Sequence, residues 1–248
     1  IMKCRICNSK KTKEVLNLGK QPLANKYPKN KYQIQNEQKY LLNIYLCNNC
    51  KCAQIKKIIN RKKMFTDYYY LSSVNLELVK HFEKLSKTIN KNSFVIDIGS
   101  NDGIFLKHLK KRGIKFLGID PSKNVGKIAN DKGYKTLIDF FNIKTVNKIL
   151  KKYEKPDVIV ASSIMTHIEK PIEFAKNIKN LLKENGLLIL EIEYLLNFLN
   201  NKEYERFYFD RPFYYSLKSI KTLFNKVDMS LVDIKTIKPH GGSLRCFI

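Results

Sequence analysis

Phe94-Val95-Ile96-Asp97-Ile98-Gly99-Ser100-Asn101-Asp102-Gly103 is the stretch whose reading decides the fold. The five residues before Gly99 form a short apolar run broken only by Asp97, and a glycine turn ends it, which reads as a buried strand. Residues 104–112 then follow helical periodicity, with Gly113 as the stop signal.

The same alternation continues outward. Residues 115–120 form a second strand, and Ser122 is placed to cap a helix that ends near Gly133. A short strand at 135–138, a helix at 143–153, a strand at 157–161, a helix from Pro171 to Gly186 and a strand at 186–192 follow. The tail adds a helix at 217–225 and strands at 230–237 and 243–248. Strands alternating with helices at this spacing predict an α/β fold, a parallel sheet with helices on both faces. Upstream, Leu76, Val79, Phe82, Leu85 and Ile89 mark an amphipathic helix within residues 65–91. The expected division is a cysteine-bearing unit over 1–60, a helical linker over 61–92 and the α/β domain over 93–248. Ile1 precedes Met2, which reads as the natural start.

At 248 residues, with 44% hydrophobic and 28% charged residues, the chain can bury a sizeable core, and it fits neither a collagen-like nor a disordered class. It has no apolar run of the roughly 18 residues that a span needs and no signal-peptide core at its start, so a cytoplasmic protein is expected. Lys and Arg number 47 against 22 Asp and Glu, a formal net charge of +25. Such an excess raises a nucleic-acid partner, but only six of the basic residues are Arg and no arginine-rich stripe or aromatic-basic pattern appears. Lysine-coated solvated surface, or a small anionic substrate, accounts for the charge equally well.

Four of the six cysteines form two pairs, Cys4-Arg5-Ile6-Cys7 and Cys47-Asn48-Asn49-Cys50. Two such turns supply a closed tetrahedral zinc site with no open position for chemistry. Free thiols, or a disulfide set in a secreted protein, are the alternatives, and the cytoplasmic look of the chain disfavours disulfides. Cys52 and Cys246 read as small apolar core residues.

Ligands of open α/β sheets sit beyond the carboxyl ends of the strands. The turn at Asp97–Gly103 lies at the first such end, lacks the glycine triplet of a dinucleotide fold and carries two acids, Asp97 and Asp102, that would repel a pyrophosphate. Acids there suit a ligand with a positive centre. Asp120 ends the second strand, where a carboxylate can accept both ribose hydroxyls. The set favours S-adenosylmethionine, with Gly99, Ser100, Asn101 and Gly103 cradling its methionine part.

The chain resembles the sugar C-methyltransferases, which methylate nucleotide-linked deoxy-keto sugars. The likeness runs through the paired cysteines, 18–24, Asp67-Tyr68, 72–73, 97–103, Gly118-Ile119-Asp120-Pro121 and Phe140-Phe141. It continues through 161–167, 191–195 and His240-Gly241-Gly242-Ser243-Leu244-Arg245. The resemblance implies a Rossmann-like class I methyltransferase sheet behind a small N-terminal zinc-binding domain. It implies zinc on Cys4, Cys7, Cys47 and Cys50, and cofactor binding by Asp97, Gly99, Asn101, Asp120, Phe141 and Ser162.

Two departures alter the expectation. Family members continue into a further domain after the His-Gly-Gly-Ser-Leu-Arg segment, where this chain stops, so the acceptor cleft is expected to be more open or built by another subunit. The family also reads Tyr-His-Glu-His where this chain has Tyr208-Phe209-Asp210-Arg211. Arg211 stays protonated and cannot act as the base that carbon methylation needs. It can hold an anion by paired hydrogen bonds, or it can merely pair with Asp210 or a surface acid. The expected activity is therefore methylation of a phosphate- or phosphoramidate-like oxygen on a small anionic precursor of surface-carbohydrate (capsule polysaccharide) biosynthesis. His167, Tyr208, Asp210, Arg211 and Tyr70 would orient or activate the acceptor. Methylation of a sugar carbon stands second, and a zinc-containing nucleic-acid-binding protein is the reading from another class.

Overall fold

The computed structural model describes residues 2–24, 27–60, 64 and 70–248. The chain opens with strand β1 (Thr12–Gln21), helix α1 (Lys31–Gln35) and strands β2 (Tyr40–Cys47) and β3 (Ala53–Ile55). Helix α2 (Leu76–Lys87) leads into an alternating series: β4 (Phe94–Ile98), α3 (Ile104–Lys111), β5 (Lys115–Asp120), α4 (Lys123–Asp131), β6 (Thr136–Ile138) and α5 (Ile143–Leu150). The series continues with β7 (Val158–Ser162), α6 (Pro171–Leu181), β8 (Leu187–Glu193) and α7 (Leu195–Asn200). Last come β9 (Phe213–Tyr214), α8 (Leu217–Asn225), β10 (Asp233–Ile237) and β11 (Ser243–Phe247). No described helix is long and apolar enough to cross a membrane.

The larger sheet has the order β10-β11-β8-β7-β4-β5-β6. Strands β4 to β8 pair in parallel, and β11 pairs antiparallel with both β8 and β10. β4 lies between β5 and β7, so successive strands leave it in opposite directions and open a crevice at its carboxyl end. Every residue of β4 is buried. Phe94, Ile96 and Ile98 pack with α5, α6 and α8 on one face, and Val95 packs with α2 and α3 on the other. A strand covered on both faces is apolar at nearly every position, which is why its sequence is a run rather than an alternation.

The smaller sheet has the order β1-β2-β3-β9. Its last strand comes from far along the chain: Gln54 pairs with Phe213, Ala53 pairs with Tyr214, and Ile55 N–H donates to the Pro212 carbonyl. One apolar cluster runs from Cys4, Ile6 and Cys47 through Phe213 and Tyr215 to the interior of the larger sheet. The two sheets therefore share a core.

The expected strands and helices of residues 93–248 are present with shifted ends. The linker helix begins at Leu76, where the Asn75 side chain accepts from Glu77 N and Leu78 N. Residues 65–69 of the expected helix, Asp67-Tyr68 of the resemblance among them, lie outside the described residues, as does Ile1. Ser122 occupies the cap position of α4, but its side chain makes no cap hydrogen bond. Between the cysteine pairs the sequence left strands or loops open, and the structure has strands there. β1 carries two register shifts against β2, which break the period-2 alternation that would betray a strand.

Phe213 is fully buried between the two sheets. Phe213→Ala is expected to cost about 3–5 kcal/mol in a denaturant titration. A loss under about 1 kcal/mol would mean that the residue is not part of the shared core.

Candidate active site and cysteine cluster

A cavity of about 1070 Å³ opens at the carboxyl ends of β4, β5, β7 and β8. The turn after β4 shapes one wall. Gly103, at φ +83°, caps α3, and a Cβ there would fall 2.5 Å from the Tyr134 ring, so only glycine permits this approach. Asn101 N–H donates to Asp120 Oδ2 and Ser122 N–H donates to Oδ1, each at 2.9 Å. Both oxygens are thus fixed and still have lone pairs for a pair of neighbouring hydroxyls. Burial raises the Asp120 carboxyl, against the pull of those N–H groups.

Asp97, Gly99, Asn101, Asp120, Phe141 and Ser162 all line the cavity, whereas Ser100 and Gly103 do not. Ser100 Oγ is buried against Gly118 of β5. The Asn101 side chain accepts from Ser72 N at 3.0 Å and donates to the Tyr70 carbonyl at 3.1 Å, clamping that segment onto the cavity wall. Asp102 corrects the expectation of two acids facing the ligand. Its carboxylate accepts from the Ser73 N–H and hydroxyl and lies 3.7 Å from Lys132 Nζ. Asp97 faces the cavity without it. Burial, then the charges of Asp120 and Glu191, push the Asp97 carboxyl up to about 8.

Below Asp97 lies a network that sequence reasoning missed. Glu191 of β8 accepts from His81 Nε2 (2.9 Å), Arg245 Nε (2.7 Å) and Ser162 Oγ (2.6 Å). Burial would raise the Glu191 carboxyl, but these partners, His81 foremost, hold it below the usual range. Ser162 therefore spends its proton inward and offers lone pairs to the cavity. Phe141 packs edge-on to Phe174 at 5.2 Å, forming an apolar wall beside Asp139.

The opposite side carries the expected acceptor residues. His167 Nδ1 lies 2.7 Å from the Asp210 carbonyl. A carbonyl only accepts, so Nδ1 holds the proton and the basic lone pair of the neutral ring is on Nε2. Arg211 lines the cavity, with its guanidinium 5.1 Å over the Tyr208 ring. Its partner is neither Asp210 nor a surface acid but Glu193, buried at the end of β8, with Nη2 donating to Oε1 at 2.8 Å. Tyr70 also lines the cavity, whereas Tyr208 and Asp210 stand behind His167 and Arg211. Glu193, Asp139 and His240 line it too and were not singled out. Glu193 ends β8 and Asp139 follows β6, and a place at a strand end is the signal that could have found them.

The charge of the cavity opposes that of the chain. Among the described residues, Asp120, Asp139, Glu169, Glu173 and Glu193, besides the proton-holding Asp97, line it against the cations Lys144, Lys170 and Arg211. The lysine excess lies elsewhere.

The four paired cysteines converge. Cys4 and Cys50 sulfurs lie 3.6 Å apart, those of Cys7 and Cys47 lie 3.5 Å apart, and all four fall within 4.8 Å of one another. Four thiolates around zinc at about 2.3 Å place sulfurs about 3.8 Å apart, so the cluster fits that ion. All four are unbridged. Gln54 Nε2 donates to Cys4 Sγ at 3.2 Å, while Cys52 turns away toward the Tyr214 carbonyl.

Asp97 makes a pH prediction. Between about pH 4 and 8 the native carboxyl keeps a proton that the unfolded chain releases, so its burial costs stability increasingly as pH rises. Asp97→Asn is expected to raise the Tm of the ligand-free protein by several degrees at pH 8 and little at pH 4. Equal shifts at both pH values, in thermal scans, would count against a buried, proton-holding Asp97.

Comparison with known proteins agrees with the geometry. The family model described as "Methyltransferase domain" matches residues 70–234, and one described as "Putative zinc binding domain" matches residues 4–65. The C-methyltransferase NovU of Streptomyces niveus is 26% identical over the whole chain, which spans 60% of that protein. The tRNA U34 carboxymethyltransferase of Campylobacter lari is 25% identical over 71% of the chain and 64% of its own length. The chain thus spans about three-fifths of these curated relatives. In fold, a SAM-dependent methyltransferase from Archaeoglobus fulgidus superposes with a TM-score of 0.51 at 19% identity, over 65% of this chain and 72% of that one. The magnesium protoporphyrin IX methyltransferase of Synechocystis, solved with SAM bound, gives 0.50 at 14% identity, over 69% and 76%. With two-thirds of its length matched by that first model, the chain belongs to the methyltransferase-domain family and carries a SAM-dependent methyltransferase fold.

Proposed function

We propose that the protein transfers a methyl group from S-adenosylmethionine to a phosphate- or phosphoramidate-like oxygen of a small precursor in cytoplasmic surface-carbohydrate biosynthesis. The observation that carries methyl transfer is Asp120, whose two oxygens are oriented by backbone N–H groups at a strand end that opens on the cavity. When bound, the cofactor supplies an electrophilic methyl on a positively charged sulfur. Asp120 holds the ribose hydroxyls, the Gly99–Gly103 turn receives the methionine part, and Asp97 faces the positive centre. Phe141 and Ser162 complete that half.

The acceptor half is built from Arg211, His167 and Tyr70, with Tyr208 and Asp210 positioning the first two. Arg211 supports an anionic oxygen, since Glu193 engages Nη2 and, with Nε buried, Nη1 is left to donate to a ligand. Much of the rate would come from alignment of acceptor oxygen, methyl and sulfur. The 1–60 unit would hold structural zinc on Cys4, Cys7, Cys47 and Cys50, with 61–92 joining it to the 93–248 domain. Methylation of a keto-sugar carbon remains the second reading. It is favoured by the whole-chain likeness to NovU and by an acidic lining that gives an anion little general attraction.

Asp120→Ala is expected to weaken S-adenosylhomocysteine binding by about 10–100-fold in calorimetry, the loss of charge-assisted hydrogen bonds to two hydroxyls. Unchanged affinity would remove Asp120 from the ribose. Labelled methyl should pass to small phosphate or phosphoramidate anions rather than to keto-sugar nucleotides, and Arg211→His should lower that transfer at least tenfold. Label in the sugar pool instead would establish carbon methylation and end the argument from Arg211.

A further inference from the structure

Glu193 and Arg211 meet at the wall of the cavity and share one hydrogen bond, from Nη2 to Oε1 at 2.8 Å. A side-on pair would engage a second nitrogen and the second oxygen together. This pair is end-on: Glu193 Oε2 and Arg211 Nε are buried without a hydrogen-bond partner. Nη1 likewise makes no hydrogen bond to a described residue.

The groups beside Glu193 use their hydrogens elsewhere. Ser243 is its register partner on β11, and the Ser243 hydroxyl donates to the Pro239 carbonyl at 2.9 Å. His240, whose pKa burial lowers against the pull of Glu193, makes no hydrogen bond to it among the described residues. A carboxylate oxygen can only accept, and leaving one buried without a donor is costly. Such a group at the wall of a ligand cavity is explained when the ligand brings the donor.

The two open positions belong to one ion pair and make opposite demands. Arg211 Nη1 calls for an oxygen, best an anionic one, and Glu193 Oε2 calls for a hydrogen. A bare oxyanion answers the first and is repelled by the second. A phosphate monoester is mostly doubly ionised at neutral pH and has then lost its P–O–H hydrogen. An amide nitrogen on the same central atom keeps its hydrogens.

We propose that Glu193 is a specificity-determining residue, which makes the acceptor site select an amidated oxyanion: an anionic oxygen for Arg211 and, on the same central atom, an N–H for Glu193. The inference rests on the anionic-acceptor reading and narrows it to the phosphoramidate-like class. Methylation of such an acceptor releases no proton. The anionic oxygen bonds to the methyl carbon as the carbon–sulfur bond breaks with its electron pair on sulfur, and the nitrogen keeps its hydrogens.

The test compares two monoanions of one shape, sulfamate, which carries an amino group, and methanesulfonate, which carries a methyl group in its place. Each is titrated into the full chain holding S-adenosylhomocysteine, and NMR of the Arg211 guanidinium reads binding. Sulfamate is expected to bind about 10–100-fold more tightly, as for a hydrogen bond to a charged partner. In Glu193→Gln the amide can keep its oxygen on Arg211 and turn an N–H to the ligand, so the preference should disappear. Equal affinities in the wild-type protein overturn the proposal, leave Oε2 to water and keep the anion-binding role of Arg211. That comparison decides by itself where the variant no longer folds. A preference that survives in Glu193→Gln also overturns the proposal and moves the selection to another acceptor at the wall, such as His167 Nε2 or Asp139. If neither anion moves the Arg211 signals, the anionic-acceptor reading itself fails, and the proposal with it.

Discussion

The grip of two backbone N–H groups on one carboxylate organises the crevice at the carboxyl ends of β4 and β5. Asn101 and Ser122 belong to the turns after β4 and β5, and both donate to Asp120. The grip locks the two strand ends in register where the strand order reverses, so the turn, the first residues of α3 and the floor of the cavity become one rigid piece. Asn101 extends the piece outward, since its side chain holds Tyr70 and Ser72 as its N–H holds Asp120. A left-handed residue at that position, φ 49°, lets both sets of bonds form at once.

The opposite wall of the cavity is organised by buried charge. A pair such as Arg211–Glu193 gains little net stability over apolar side chains of the same volume, because both groups must be stripped of water. Its value is geometric. Glu193 holds the guanidinium at the cavity wall, over Tyr208, and tempers its charge. The same arrangement appears in Glu191, which pairs with Arg245 and is hydrogen-bonded by His81 beneath Ser162. A chain of net charge +25 thereby lines this cavity with more acids than cations. Such a cavity favours a cationic cofactor, whereas the outer lysines serve solubility.

The parallel strands were legible because burial on both faces leaves nothing but apolar residues between turn signals, and the strand-end rule then pointed to Asp97, Asp120 and His167, whereas Ser162 came only from the family resemblance. Asp102 was misread because a turn with three positive φ values, at Gly99, Asn101 and Gly103, rotates neighbouring side chains to opposite sides of the wall. Glu191 and Glu193 sit inside a hydrophobic run, where the sequence marks a strand but not the face each acid takes. The small sheet was hidden for a different reason. Its first strand is bulged, and its last is two residues drawn from more than 150 positions downstream. A pairing of that separation leaves no local periodicity to read.

That last pairing also bears on the order in which the molecule assembles. β3 leaves the ribosome long before Phe213 and Tyr214 exist, so the small sheet waits with an open edge while the α/β domain is being made. Closing it is a late, high-contact-order event. The four-cysteine cluster, whose ligands are all supplied by residue 50, can form first and keep the waiting edge from wandering into foreign partners. A metal with no part in the chemistry would then act as a chaperone in time, holding one half of the core until the other arrives.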